Sequence, residues 1–169
     1  MTFWRWVALA LLVAAGTVYV MGRRLPMEHR AVAEGVVQDS QDRVWRLVDD
    51  SATQTQWRTR LLKISPLQDS TDGRCWLEAH RTGELTVCQV EEVAKSRLVL
   101  RMVGKKNKYW GTWTFTFRQV GPNATEVTMV EDGWIKSALL RFLGHYAMGE
   151  ETNVKQYLSD LQAEAVRKR

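Results

Sequence analysis

Residues 7–21, Val-Ala-Leu-Ala-Leu-Leu-Val-Ala-Ala-Gly-Thr-Val-Tyr-Val-Met, carry no charged side chain. Such a run has few stable fates. In a bilayer its backbone must satisfy its own hydrogen bonds, which means a helix. From Phe3 to Gly22, about 20 residues at ~1.5 Å each cover the ~30 Å hydrocarbon core. Arg5 lies near enough to the end to snorkel, and Trp4 and Trp6 suit the headgroup level. Arg23 and Arg24 close the run. The expectation is a single-pass membrane anchor and linker over residues 1–26, then one globular domain over 27–169. A cleaved signal peptide competes, because Ala14-Ala15-Gly16 offers small residues to a peptidase. Against it, the apolar run continues to Met21 and only one Arg precedes it. A buried core helix fits poorly with so long a run ending in Arg-Arg. Arg23, Arg24 and Arg30 outnumber Arg5 plus the terminal amine, so the positive-inside rule favours a cytoplasmic domain by a small margin.

The formal charge of +5 overstates the basicity of that domain. Residues 1–26 hold three arginines and no acid, which leaves 21 basic against 19 acidic side chains, a net of +2. That is no nucleic-acid footprint. The denser group Lys105, Lys106, Lys108 reads as a solvated hairpin tip, with contact to anionic headgroups as the alternative. Two cysteines, Cys75 and Cys88, cannot close a structural zinc site, and no histidine stands at ligand spacing, so no metal or cofactor is expected. They could pair across a hairpin outside the cytoplasm, but free, half-buried thiols are the working expectation.

Alternation over His29–Asp39 separates Ala31, Ala33, Gly35 and Val37 from Val32, Glu34 and Val36, as in a strand. Ser40 then suits the N-cap of a helix carrying Val44, Trp45, Leu47 and Val48, and Ser51 caps a second short helix ending near Trp57-Arg58. Strand candidates follow at Leu61–Leu67, Cys75–His80, Glu84–Val93, Arg97–Val103, Tyr109–Arg118 and Thr125–Asp132. The turn clusters Asp69-Ser-Thr-Asp-Gly73, Arg81-Thr-Gly83 and Gly121-Pro-Asn123 punctuate them. The clearest strand places Tyr109, Gly111, Trp113, Phe115 and Phe117 on one face. A long helix over roughly 136–166 completes the chain. Leu139, Phe142, Leu143, Tyr146, Val154, Tyr157, Leu158 and Leu161 fall on its apolar stripe, and Gly144 and Gly149 interrupt it. The tail Arg167-Lys-Arg169 suits the negative end of its dipole.

This order, with Leu25-Pro-Met-Glu-His29, Asp42-Arg-Val-Trp-Arg-Leu-Val48, Trp57-Arg58, Gly111-Thr-Trp-Thr-Phe115, Glu131-Asp-Gly-Trp-Ile135 and Gln156-Tyr-Leu-Ser-Asp-Leu161, resembles the START-like superfamily. The likeness is to its polyketide cyclase/dehydrase and lipid-transport branch (SRPBCC), in the membrane-anchored bacterial type, over about residues 25–165. The resemblance implies an α+β helix-grip fold, in which a curved antiparallel sheet of about seven strands wraps a long C-terminal helix around an apolar cavity. Members bind lipids, sterols, polyketides or hormones, and some catalyse cyclisation or dehydration.

Seven strands present more apolar surface than one helix covers, so bulky side chains or a ligand must fill the rest. The candidate ligand-binding set is Tyr109, Trp113, Phe115, Met129, Glu131, Phe142, Tyr146 and Gly149. Glu131 shares a face with Val127 and Met129. A buried carboxylate needs a partner or a proton, and the bland alternative pairs it with Arg58 or Arg141 at a frayed strand end. Cys75, Leu77 and Ala79 are expected inside, with Glu78 and His80 outside. Trp110 and Trp134 fall on predicted outer faces, where they would meet a membrane or a partner, unless the register places them in the core. No catalytic residue is assigned, since no nucleophile–base motif or phosphate loop occurs. The leading expectation is a membrane-anchored module that binds an apolar small molecule or lipid. An interaction protein with a filled core, and a cyclase/dehydratase-type enzyme, remain open.

Overall fold

The computed structural model describes residues 2–67, 73–81, 83–105, 108–149 and 151–167. The expected turn at 69–72, Thr82, Lys106 and the end of the basic tail lie outside these residues. Helix α1 (Thr2–Arg24) leads into strand β1 (Glu28–Val37), helix α2 (Gln41–Asp49) and a 3-10 turn over Ser51–Gln56. Strands β2 (Leu61–Leu67), β3 (Cys75–His80), β4 (Gly83–Val93), β5 (Arg97–Gly104), β6 (Tyr109–Gly121) and β7 (Ala124–Ile135) follow. Helix α3 (Ala138–Leu143), a π-helical turn (Gly144–Met148) and helix α4 (Thr152–Arg167) end the described chain.

The seven strands form one antiparallel sheet in the order β1-β7-β6-β5-β4-β3-β2. β1 closes against the last strand, so the sheet begins and ends with chain segments that flank the helices. Period-2 alternation sets one apolar face. Trp113, Phe115 and Phe117 of β6 stand opposite Glu131, Met129 and Val127 of β7. Leu98, Leu100 and Met102 of β5 lie beside them, all buried. Helix α4 covers this concave face with Val154, Tyr157, Leu158 and Leu161. The rings interlock: Tyr157 lies 5.2 Å from Phe115, 5.7 Å from Trp113 and 5.3 Å from Trp57, centroid to centroid. The expected α+β helix-grip arrangement is present.

Three expectations are corrected. First, the terminal helix is not continuous. Gly149 has φ +79°, a left-handed conformation that glycine adopts without steric cost, and the chain turns there before α4. The expected stripe therefore divides: its second half is buried, while Leu139 and Tyr146 are exposed. Second, β3 is turned over. Trp76 and Glu78 are fully buried and His80 points with them toward Arg58. Third, Cys75 and Cys88 are not free thiols. They stand directly opposite on β3 and β4 and form a disulfide. Two cysteines bonded across the outer face oblige Trp76, Glu78 and Val87 to face inward.

Helix α1 extends away from the domain, with Leu11, Leu12 and Val13 exposed. It is apolar enough over Phe3–Arg24 to cross a membrane. Its last turn docks on α3. Gly22 is buried with its α-carbon against the Ala138 backbone, leaving no room for a side chain. Arg141, itself buried, donates from Nε to the Gly22 carbonyl at 2.9 Å and from a terminal nitrogen to the Ile135 carbonyl at 2.8 Å. A cation at the carbonyl end of a helix satisfies an orphan acceptor and opposes the dipole.

Candidate functional site on the concave face

Two buried carboxylates organise the concave face. Glu131, 3% exposed, sits on β7 near the end of the sheet that meets α1 and α3. Its Oε1 accepts the Tyr109 hydroxyl at 2.9 Å and lies 3.0 Å from His29 Nε2. Its Oε2 accepts the Trp113 indole N–H at 3.0 Å. The His29 ring occupies the space over Gly133, where any side chain would collide with it. Burial, then the adjacent negative charge of Glu131, pushes the Tyr109 hydroxyl pKa far above its ordinary value. Tyr109 is therefore a fixed donor and not a base.

Glu78 is the second. Arg58 grips it with two parallel bonds of 2.8 and 3.0 Å. The Trp76 indole donates at 3.0 Å, and His80 Nε2 lies 3.0 Å away. Gln54 accepts from Arg58 at 2.7 Å and donates to the Val48 carbonyl, so the network is fixed to the short helices. Burial alone would raise the Glu78 pKa, but the Arg58 charge and these hydrogen bonds outweigh it and hold it at about 2. The guanidinium also lies over the rings of Trp113 at 5.5 Å and Tyr157 at 4.9 Å, a favourable electrostatic contact. Trp113 thus joins the centres, its N–H on Glu131 and its ring beneath Arg58.

Among the described residues, two buried donors on this face bond to no acceptor: the Tyr157 hydroxyl and the Trp57 indole N–H. Their rings meet edge to face at 5.3 Å. Burial is the main influence on Tyr157 and drives its pKa up, against the opposing pull of Arg58. It stays a neutral O–H donor.

Of the eight expected site residues, Trp113, Phe115, Met129 and Glu131 are brought together inside, with half-buried Tyr109 at the margin. Glu131 pairs with neither Arg58 nor Arg141. Phe142 and Tyr146 meet at a tilt, 5.0 Å between ring centroids, outside the core. Gly149 forms the turn that precedes α4. Sequence reasoning missed Arg58, Glu78, His80 and Trp57 as site residues, and placed Tyr157 on the inward apolar stripe. The signal for the first three was Trp76, a large aromatic sharing parity with Glu78 and His80. Two concavities stand out among the described residues, and both lie elsewhere. One, of ≈ 450 Å³, runs between the 3-10 turn, β2 and β3, and another, of ≈ 370 Å³, lies beside Arg74 and Gln89.

No protein-family model matches the chain, and no curated protein matches it. Solved structures do. The ZhuI aromatase/cyclase from Streptomyces sp. R1128 superposes with a TM-score of 0.70 at 11% identity, over 83% of this chain and 95% of that one. A START superfamily protein from Mycobacterium smegmatis gives 0.67 at 13% identity, over 83% and 99%. The fold is START-like. Norcoclaurine synthase from Thalictrum flavum, solved with dopamine and hydroxybenzaldehyde, shares it at a TM-score of 0.63 and 10% identity, over 84% and 88%. Identities this low speak to the START-like frame alone. In that frame the Glu131 and Glu78 centres both lie on the concave face, and Trp113, whose ring meets Tyr157 of α4, joins them.

Proposed function

We propose that this chain is a membrane-anchored START-like module that binds an apolar small molecule carrying an oxygen acceptor, between the concave sheet and α4. The observation that carries this reading is the pair of buried donors, Tyr157 O–H and Trp57 N–H, set among edge-to-face and tilted aromatic rings. Buried donors ordinarily have an acceptor, and an apolar ligand with a carbonyl, ester or hydroxyl group would supply one. Trp113, Phe115 and Met129 would form the apolar wall. Glu131 and Tyr109 would set the polar margin, Phe142 and Tyr146 the approach, and Gly149 the hinge. A lipid fits this chemistry and the anchor. The domain division at residue 26 follows from the same reading, with α1 as the anchor and 27–169 as the binding domain.

The filled interior favours a second reading, an interaction protein without a ligand. Phe115 and Met129 have no exposed surface at all. Native mass spectrometry of the full chain released from mild detergent, followed by solvent extraction, separates the two. Binding predicts a stoichiometric apolar adduct, and Tyr157→Phe should weaken its retention about tenfold, the cost of one buried hydrogen bond. A clean apo mass after incubation with a membrane lipid extract would leave the interaction protein.

A further inference from the structure

Apolar side chains that the domain does not bury gather at one end of the sheet. Leu139 and Leu140 on α3 are 53% and 42% exposed, and Tyr146 on the π-helical turn is 55% exposed. On the convex face at the same end, Trp110 and Trp134 stack at 5.7 Å, with Trp134 39% exposed. The chain fixes all of them close to the exit of α1. Trp134 pairs with Glu28 at the start of β1, and the Ile135 amide donates to the Met27 carbonyl at 2.8 Å. Lys136 and Lys108, both exposed, are joined by a backbone hydrogen bond of 3.0 Å. Arg23 and Arg24 end α1, whose last turn packs on α3.

We propose that α3, the π-helical turn and the Trp110–Trp134 stack form a docking surface for the bilayer that holds α1, with anionic headgroups facing the adjacent lysines and arginines. The proposal rests on the reading of α1 as an anchor. The occupant follows from continuity. Gly22 packs directly on Ala138, and Arg141 ties the last turn of α1 to the start of α3. A span ending at Arg24 therefore brings α3 to the headgroup level. Exposed leucines bury favourably there, tryptophan and tyrosine rings prefer that depth, and each basic side chain near an anionic surface adds attraction.

The test uses the full chain, whose native cysteines are bonded to each other, so one introduced cysteine is the only free thiol. Nitroxide labels at Leu139→Cys, Leu12→Cys and Val120→Cys report depth from their collision rates with oxygen, which partitions into lipid, and a water-soluble nickel chelate. Vesicles contain phosphatidylcholine with or without phosphatidylglycerol. All three sites are exposed, so labelling leaves the fold intact. The expected result is an oxygen-to-nickel ratio several-fold higher at position 139 than at position 120, which lies at the far end of the sheet. Anionic lipid should increase it. A deep label at position 12 with an aqueous one at 139 overturns the docking surface and spares the anchor. An aqueous label at position 12 overturns both. A label at 139 shielded from both reagents places a protein on this face and overturns the lipid assignment.

Discussion

Glu78 and Glu131 are both buried carboxylates, yet their neighbours differ in kind. Glu131 is held by a phenol, an indole and an imidazole, while Glu78 faces a guanidinium in a two-bond grip. Breaking a buried ion pair costs about 3–5 kcal/mol, because the surviving charge has no counterpart. Glu78→Gln should lower stability by that order, and denaturant unfolding of the detergent-solubilised chain at pH 7 measures it. The acid limb gives an independent check. The Glu78 pKa is about 2 when folded, against an ordinary 4.5. A lowered pKa means that its contribution is complete above about 4.5 and is lost as the pH falls through the folded value. A shift of this size corresponds to about 3 kcal/mol. Wild type should therefore lose this stability between about pH 4.5 and 2, while Glu78→Gln should show a flatter decline. Parallel acid limbs in the two proteins would refute the assignment.

Among the elements, legibility followed the strength of the local period. β6 was readable because Tyr109, Trp113, Phe115 and Phe117 alternate with threonines and leave one choice of face. β3 was not, because Cys-Trp-Leu-Glu-Ala-His places an apolar residue in either parity. The choice depended on a distant cation, Arg58, and on the pairing of Cys75 with Cys88. The terminal helix was misread as continuous because its apolar residues keep helical spacing across Gly149, where the backbone leaves the helix. Phe142 and Tyr146 were placed in the site on that account. At Gly22 the close approach of α1 to α3 carries its own prediction. Gly22→Leu cannot keep Ala138 where it is, so the two helices should part and Arg141 should lose one carbonyl. Hydrogen exchange of the 138–143 amides should quicken about tenfold or more, the worth of a hydrogen bond to a charged donor. Amides of β6 and β7 should not change. Unaltered exchange in α3 would mean that its order owes nothing to α1.

At the scale of the whole molecule, two features disagree about the side of the membrane on which the proposed anchor would leave the domain. The arginines after α1 favour a cytoplasmic domain, but by a small margin. The Cys75–Cys88 disulfide favours the opposite side, because reducing cytosol keeps thiols open whereas secreted and periplasmic compartments keep such bonds closed. The disulfide weighs more. It joins residues that the sheet register places face to face, and it cross-links β3 to β4 on the side opposite the Glu78 centre. We therefore expect the domain on the oxidising side, with the start of α1 in the cytoplasm. Maleimide added to unreduced, denatured full chain should give no mass increase, and prior reduction should give two additions. An alkaline phosphatase fused after Arg169, active only where its own disulfides form, should be active in cells. Two additions without reduction, together with an inactive fusion, would restore the cytoplasmic orientation. The docking surface would then face the inner leaflet with its geometry unchanged, since the contact of α3 with α1 does not depend on which way the anchor points.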